Sequence, residues 1–245
     1  MHKLRLKFSK TGPIKFIGHL DVMRYFQKAI RRADIDVKYS EGFSPHQVIS
    51  FAQPLSVGAT SDGEYMDMTV NFMVSTQDIM DRLNNVMNEG IKILAVTELS
   101  DKDGKAMTSS FAARYKLSFR ENLLPDFDWT SEFERYISQD KLPAMKKTKS
   151  GEKEIDMKPM IFEYSIDKDA QELDILLSMS SAATLKPTLL FEGFFNFEGK
   201  EFNKNALKIH RVDTYKEGFE GEKHFTEPFI TDDTSKRFYL SDTQG

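Results

Sequence analysis

Lys3-Leu4-Arg5-Leu6-Lys7-Phe8, followed after a break by His19-Leu20-Asp21-Val22-Met23-Arg24-Tyr25-Phe26-Gln27-Lys28-Ala29-Ile30-Arg31-Arg32-Ala33, carries the change of period that decides the fold. In the first run apolar side chains alternate with cations, the period of a strand with one buried face. Thr11-Gly12-Pro13 interrupts it. In the second run Leu20, Met23, Phe26 or Gln27, Ile30 and Ala33 recur at helical spacing, while Arg24, Lys28 and Arg31 fall on another side. Gly18 and Asp21 suit the start of that helix, where an acidic side chain meets the positive end of the dipole.

Working outward, Val37 to Phe51 reads as extended chain around Glu41-Gly42-Phe43-Ser44-Pro45-His46, and Gly63 to Phe72 alternates weakly. Ser75-Thr76-Gln77-Asp78 resembles a capping box with Asp in the last place, and Ile79, Met80, Leu83, Val86 and Met87 follow at helical spacing. Gly90 is placed to end that helix, and Ile91 to Leu99 reads as a last strand. The order β-α-β-β-α-β is the ferredoxin-like, or split-βαβ, arrangement, with helices on one face of an antiparallel sheet and the other face open.

The polar run Asp101-Lys102-Asp103-Gly104-Lys105 is the expected linker, after which the pattern recurs. Ala112 to Phe119 is strand-like, and Asp126 to Ser138 is helical with Phe127, Phe133, Tyr136 and Ile137 inward. Lys141 to Lys149 and Glu154 to Ile166 suit a hairpin around Ser150-Gly151, and Leu173 to Met179 suits a strand. Pro187 suits the first turn of a helix reaching about Phe195, and Leu207 to Tyr215 closes the set. The expectation is therefore an α+β protein of two tandem ferredoxin-like domains, residues 1–100 and 106–216, with a polar acidic tail over 217–245 that reads as extended or partly disordered.

Composition bounds the function. With 40% apolar and 29% charged residues, the 245-residue chain is that of a folded protein, and either half is long enough to bury a core. It has no cysteine, which excludes a disulfide scaffold, a thiolate zinc site, a catalytic thiol and a self-contained iron–sulfur cluster. No segment nears the roughly 20 apolar residues of a membrane span, and the start alternates charge with leucine, unlike a signal peptide. A cytoplasmic protein, with no membrane partner and no cofactor of its own, is expected. The net charge is −4, but the first 40 residues hold ten basic against three acidic side chains, about +7, leaving about −11 for the rest.

Two regions carry candidate chemistry. Arg24, Lys28 and Arg31, at i, i+4 and i+7 with Arg32 beside them, form a cationic stripe that suits a phosphate backbone, and Tyr25 could stack on a base. Lys141, Lys146, Lys147, Lys149 and Lys153 form a second basic cluster that could flank the same groove, with Lys146 and Lys147 as further RNA-binding candidates; a solvated surface is the plain alternative for both. The loop Tyr39 to His46, together with His19, offers two imidazoles and the Glu41 carboxylate, so His19, Glu41 and His46 are candidates for acid–base chemistry. The plain alternative is a tight loop that satisfies its own backbone. No metal-binding spacing is present, nor are GxxxxGK[ST], GxGxxG or GxSxG.

Lys15-Phe16-Ile17-Gly18-His19-Leu20-Asp21, continuing through Tyr39-Ser40-Glu41-Gly42-Phe43-Ser44-Pro45-His46 to Ile49-Ser50-Phe51, resembles a bacterial family of unknown function named for its association with radical S-adenosylmethionine proteins. Lys146-Lys147-Thr148-Lys149, Glu154-Ile155-Asp156 and Leu185-Lys186-Pro187 are similar to its carboxy-terminal half, so the resemblance runs to about Tyr215. It implies an accessory to a radical S-adenosylmethionine enzyme that modifies RNA or a ribosome-related target, with the catalytic cluster held by that partner. It brings no catalytic residues with it. The readings are thus an RNA-binding or substrate-presenting accessory, a metal-independent endoribonuclease using His46 or His19, and a protein-binding adaptor.

Overall fold

The computed structural model describes residues 1–148, 151–181, 183–231 and 233–240. The alternating run at the start forms β1, His2–Lys10, in which Leu4, Leu6 and Phe8 are buried against two helices. A short turn over Gly12–Phe16 leads to α1, His19–Arg32. Its buried stripe is Val22, Phe26, Ala29 and Ile30, continued by Ala33. Leu20, expected inside, is exposed, because stepping back four residues from Phe26 leads to Val22. Phe26 packs on Phe8 and on Phe51 with ring centroids 4.8 and 5.4 Å apart, tying helix to sheet.

The chain continues through β2 (Ile49–Phe51), β3 (Thr60–Val70), α2 (Thr76–Val86) and β4 (Ile91–Glu98). Ser75 caps α2 as expected, its hydroxyl accepting the Asp78 backbone N–H at 3.0 Å. Gly90 lies beyond the helix, at φ +94°, where a Cβ would stand 2.7 Å from the Thr11 carbonyl; it permits a tight turn rather than ending α2. The strand order is β4-β1-β3-β2, every neighbour antiparallel.

The linker is pinned to this half. Arg5 binds Asp67 at 2.8 and 3.0 Å and the Gly104 carbonyl, while the Ala106 N–H donates to Asp67. A single turn, α3 (Ala106–Ser109), precedes β5 (Ser110–Phe119), α4 (Trp129–Ile137), β6 (Pro143–Thr148), β7 (Gly151–Asp156), β8 (Ile161–Asp167), β9 (Glu172–Ser178), α5 (Pro187–Phe197) and β10 (Leu207–Glu220). Asp128 caps α4 and Pro187 opens α5. Phe133, Phe191 and Phe194 meet at centroid distances of 5.2 to 6.0 Å in the centre of this second core.

Three features depart from the sequence expectation. First, the predicted hairpin forms as β6-β7 but stands outside the main sheet as a separate two-stranded ribbon; β8 takes the sheet position beside β9. The order of this half is β10-β5-β9-β8, again antiparallel. Second, two separate sheets were expected, but β3 and β10 pair in parallel at Thr60↔His210 and Ser61↔Arg211, joining both halves into one sheet. Gly63 permits this approach, since a Cβ there would lie 2.3 Å from the Asp213 Cα. Third, the acidic tail is structured as far as the described residues run. β10 reaches Glu220, β11 (Lys223–Pro228) pairs back onto it, and β12 (Phe238–Tyr239) pairs with β11.

That tail covers the sheet face expected to be open. Phe229 packs on Tyr65 at 5.1 Å with Ala52 and Ala106, and Phe238 packs near Ala112, Leu176 and Tyr215. Its aromatic residues are scattered among charges without a regular period, so the pattern concealed it. Among the described residues no helix is long and apolar enough to cross a membrane.

Candidate functional site

The cationic stripe is built as the helical spacing requires. With Val22, Phe26 and Ile30 turned inward, Arg24, Lys28 and Arg31 are exposed on the outside of α1. Arg24 makes an i,i+3 contact with Asp21 at 3.3 Å, and both side chains are well exposed. Such a contact is weak in water. Arg31 donates from Nε to the Gln27 carbonyl at 3.2 Å. Lys28 makes no ion pair among the described residues. Arg32 departs from the stripe and donates to the Val86 carbonyl at 3.1 Å, closing the end of α2. Tyr25 is not presented for stacking: its hydroxyl accepts the Asn88 N–H at 2.6 Å and its ring meets Phe26 edge-on.

The Tyr39–His46 loop closes on itself. Tyr39 bridges Gln47, and the Ser40 N–H donates to the His46 carbonyl at 2.8 Å. The Ser40 hydroxyl lies 2.8 Å from His46 Nδ1 and accepts the His46 N–H at 3.1 Å. Gly42, at φ +107°, supplies the reversal, and Glu41 and Phe43 project into solvent. His46 is thus oriented by its own loop and exposed.

His19 sits elsewhere, at the first position of α1, with its ring edge-on to Phe51 at 5.6 Å. It lines a cavity of about 20 Å³ together with Lys10, Gln53 and Glu64, room for about one water molecule. No group of His, Asp or Glu among the described residues converges to hold a metal ion, so His19, Glu41 and His46 form no such cluster.

The second basic cluster is partly structural. Lys146 Nζ donates to the Thr184 carbonyl at 2.9 Å, fastening the ribbon to the segment before α5. Lys141 and Lys153 are exposed. Lys149 and Ser150 lie outside the described residues, as does the side chain of Lys147.

A group missed by the sequence reading lies at the β3–β10 seam. Arg211, almost wholly buried, donates to both Glu64 oxygens at 2.9 and 3.1 Å. Lys7 contacts Asp213 at 2.5 Å, and the Tyr65 hydroxyl donates to the same carboxylate at 2.7 Å. Burial, reinforced by the Asp213 charge, pushes the Tyr65 phenol far above its usual range, so it stays a donor. Lys10 donates to the carbonyls of Lys15 and Ile17; burial lowers its pKa and Glu64 opposes the shift. The pairings of Arg211 with Glu64 and of Asp213 with Lys7 and Tyr65 join residues more than 140 positions apart and leave no local signal.

No curated protein matches the chain. The model of one protein family, described as an uncharacterized protein conserved in bacteria (DUF2344), matches residues 3–187, so that α1, its loop and the greater part of both halves fall within the match. The chain belongs to this bacterial family of uncharacterized proteins, DUF2344.

Proposed function

We propose that this protein is an RNA-binding or substrate-presenting accessory that works with a radical S-adenosylmethionine enzyme, and that it is built from two ferredoxin-like units. The observation that carries the RNA reading is the exposed row of Arg24, Lys28 and Arg31 on α1, a helix whose single acidic residue is Asp21. The strand orders β4-β1-β3-β2 and β10-β5-β9-β8 support the tandem architecture. The partnership with a radical enzyme rests on the resemblance of the Lys15–Asp21 and Tyr39–His46 runs, and zero cysteines accord with a cluster held by the partner.

The test is recovery of the intact protein from a bacterial lysate, with and without nuclease, followed by RNA sequencing and mass spectrometry. A defined RNA and a radical S-adenosylmethionine enzyme in the same complex are expected, with the RNA depleted after Arg24→Ala and Lys28→Ala together. Absence of RNA binding by the purified chain even at low salt would end the RNA part of the proposal.

A second reading, an adaptor that binds only protein, draws on the exposed apolar side chains Phe16, Leu20 and Phe43. A nuclease-resistant complex that lacks RNA would favour it. The endoribonuclease reading rests on His19 beside Lys10 and Glu64 and on the exposed His46. It predicts RNA cleavage by the purified chain that is lost in His19→Ala or His46→Ala.

A further inference from the structure

Where the two halves meet, on the face of β5 and β10 away from the helices, lies a cleft of about 330 Å³. The pairing register sets its floor: Lys208 stands opposite Ser118 and His210 opposite Lys116, so these four side chains share one face. The first half contributes Thr60 and Lys15 to the rim.

Its charges are unequally satisfied. Lys116 is paired with Glu172 at 2.8 Å, and His210 is held between the Thr60 hydroxyl at 2.9 Å and the Asp62 carboxylate at 3.3 Å. Three cations remain. Lys208 is exposed and makes no ion pair among the described residues. Arg120 donates from Nε to the Asn205 carbonyl at 2.8 Å, which anchors the guanidinium and leaves its two terminal nitrogens without a protein acceptor among the described residues. Lys15 accepts the Gly58 N–H on its carbonyl, while its ammonium is 5.1 Å from the Phe16 ring and makes no ion pair among the described residues. Three cations from three separate segments, converging on one cleft without carboxylates of their own, are arranged for an anion rather than for fold stability. Phe16 and Val57, each 62% exposed, lie in the two segments that meet at Lys15 and Gly58. An aromatic and an apolar side chain beside cations suit a base next to its phosphate better than a bare anion.

We propose that this seam cleft binds the sugar-phosphate backbone of single-stranded RNA through Lys15, Arg120 and Lys208, with Phe16 stacking on a base. The proposal rests on the RNA-binding reading above and adds to it a second contact surface, formed only when both halves are joined through β3 and β10.

The experiment is fluorescence anisotropy of the full chain with a labelled single-stranded RNA of about a dozen nucleotides, across a salt series. Lys15→Ala with Arg120→Ala and Lys208→Ala is compared with Arg24→Ala, Lys28→Ala and Arg31→Ala on α1. The seam triple is expected to weaken binding by roughly tenfold or more and to flatten the slope of log affinity against log salt by about 2. Lys208→Glu alone, at an exposed side chain with no ion pair among the described residues, is expected to weaken binding in the same direction while leaving the melting temperature unchanged. If the seam variants bind as wild type while the α1 triple does not, the cleft proposal is overturned and the RNA reading stands. If wild type binds no RNA at low salt, both fall. Displacement of the RNA by inorganic phosphate at equal phosphate concentration would also overturn the proposal, marking the cleft as a site for free anions.

Discussion

The two halves repeat one strand order and use their outer helices in opposite ways. On α1 the cations Arg24, Lys28 and Arg31 face water, and among the described residues Asp21 is their one acidic contact. On α4 the one cation, Arg135, is tied to Glu132 and Glu198, α5 carries no cation, and nearby Lys168 and Lys200 are tied to Glu134 and Asp126. The interiors differ too. Second-half helices meet in a cluster of phenylalanines, whereas the first half is packed largely with aliphatic and methionine side chains around Phe8, Phe26 and Phe51. One strand order thus carries two differently charged helix surfaces, because exposed side chains are free to vary while the buried pattern is not.

The sharpest way to break this comparison is to separate the halves. Glu64→Ala leaves the buried Arg211 guanidinium unpaired and should cost about 3–5 kcal/mol in urea unfolding, with both halves affected because they share one sheet. Two resolved transitions, with only one of them shifted, would show that the halves are energetically independent. Gly63→Ala should be the next most damaging. Its Cβ meets the Asp213 backbone, and the seam must shift at a cost of at least about 1–3 kcal/mol, read from the urea midpoint.

Surface charge sharpens the contrast without touching stability. Arg24→Ala with Lys28→Ala should reduce RNA affinity and its salt slope by about 1, whereas Arg135→Ala with Lys168→Ala should leave both unchanged. Equal losses from the two pairs would reduce the stripe to bulk electrostatics.

The smallest effect concerns a helix cap. Hydrogen bonds from Ser131 and Thr130 hold the Asp128 carboxyl at about 2, below its ordinary 3.8. A depressed carboxyl stabilises the fold above its unfolded pKa, and that contribution disappears as pH falls through the folded value. Asp128→Ala should therefore lower the melting temperature at neutral pH, and its gap from wild type should narrow between pH 3.8 and about 2.

Much of the local structure was legible. Alternation in Leu4, Leu6 and Phe8, the cap at Ser75 and Pro187 at the head of α5 each sit where the pattern put them. The exposed stripe was legible as well, because helical spacing separates Arg24, Lys28 and Arg31 from Phe26 and Ile30. Tyr25 and Arg32 were misread for the same reason in reverse: each has a partner on α2 or just beyond it, which periodicity along one helix does not reveal. Lys146 likewise looked like surface charge until Thr184 came within its reach.

By itself the chain's pattern of apolar and polar residues determined the strands, the helices and which side of each is buried, since those follow from periods of about 2 and 3.6 residues. Only the tertiary structure decided the pairing of β3 with β10, the cover of β11, β12 and Phe229 over the sheet, and the convergence of Lys15, Arg120 and Lys208. Strand edges are joined by backbone N–H and C=O groups, which every residue but proline carries alike, so the choice of edge leaves little trace in side-chain order. The cleft inherits that silence, because its cations become neighbours only after the edges have met.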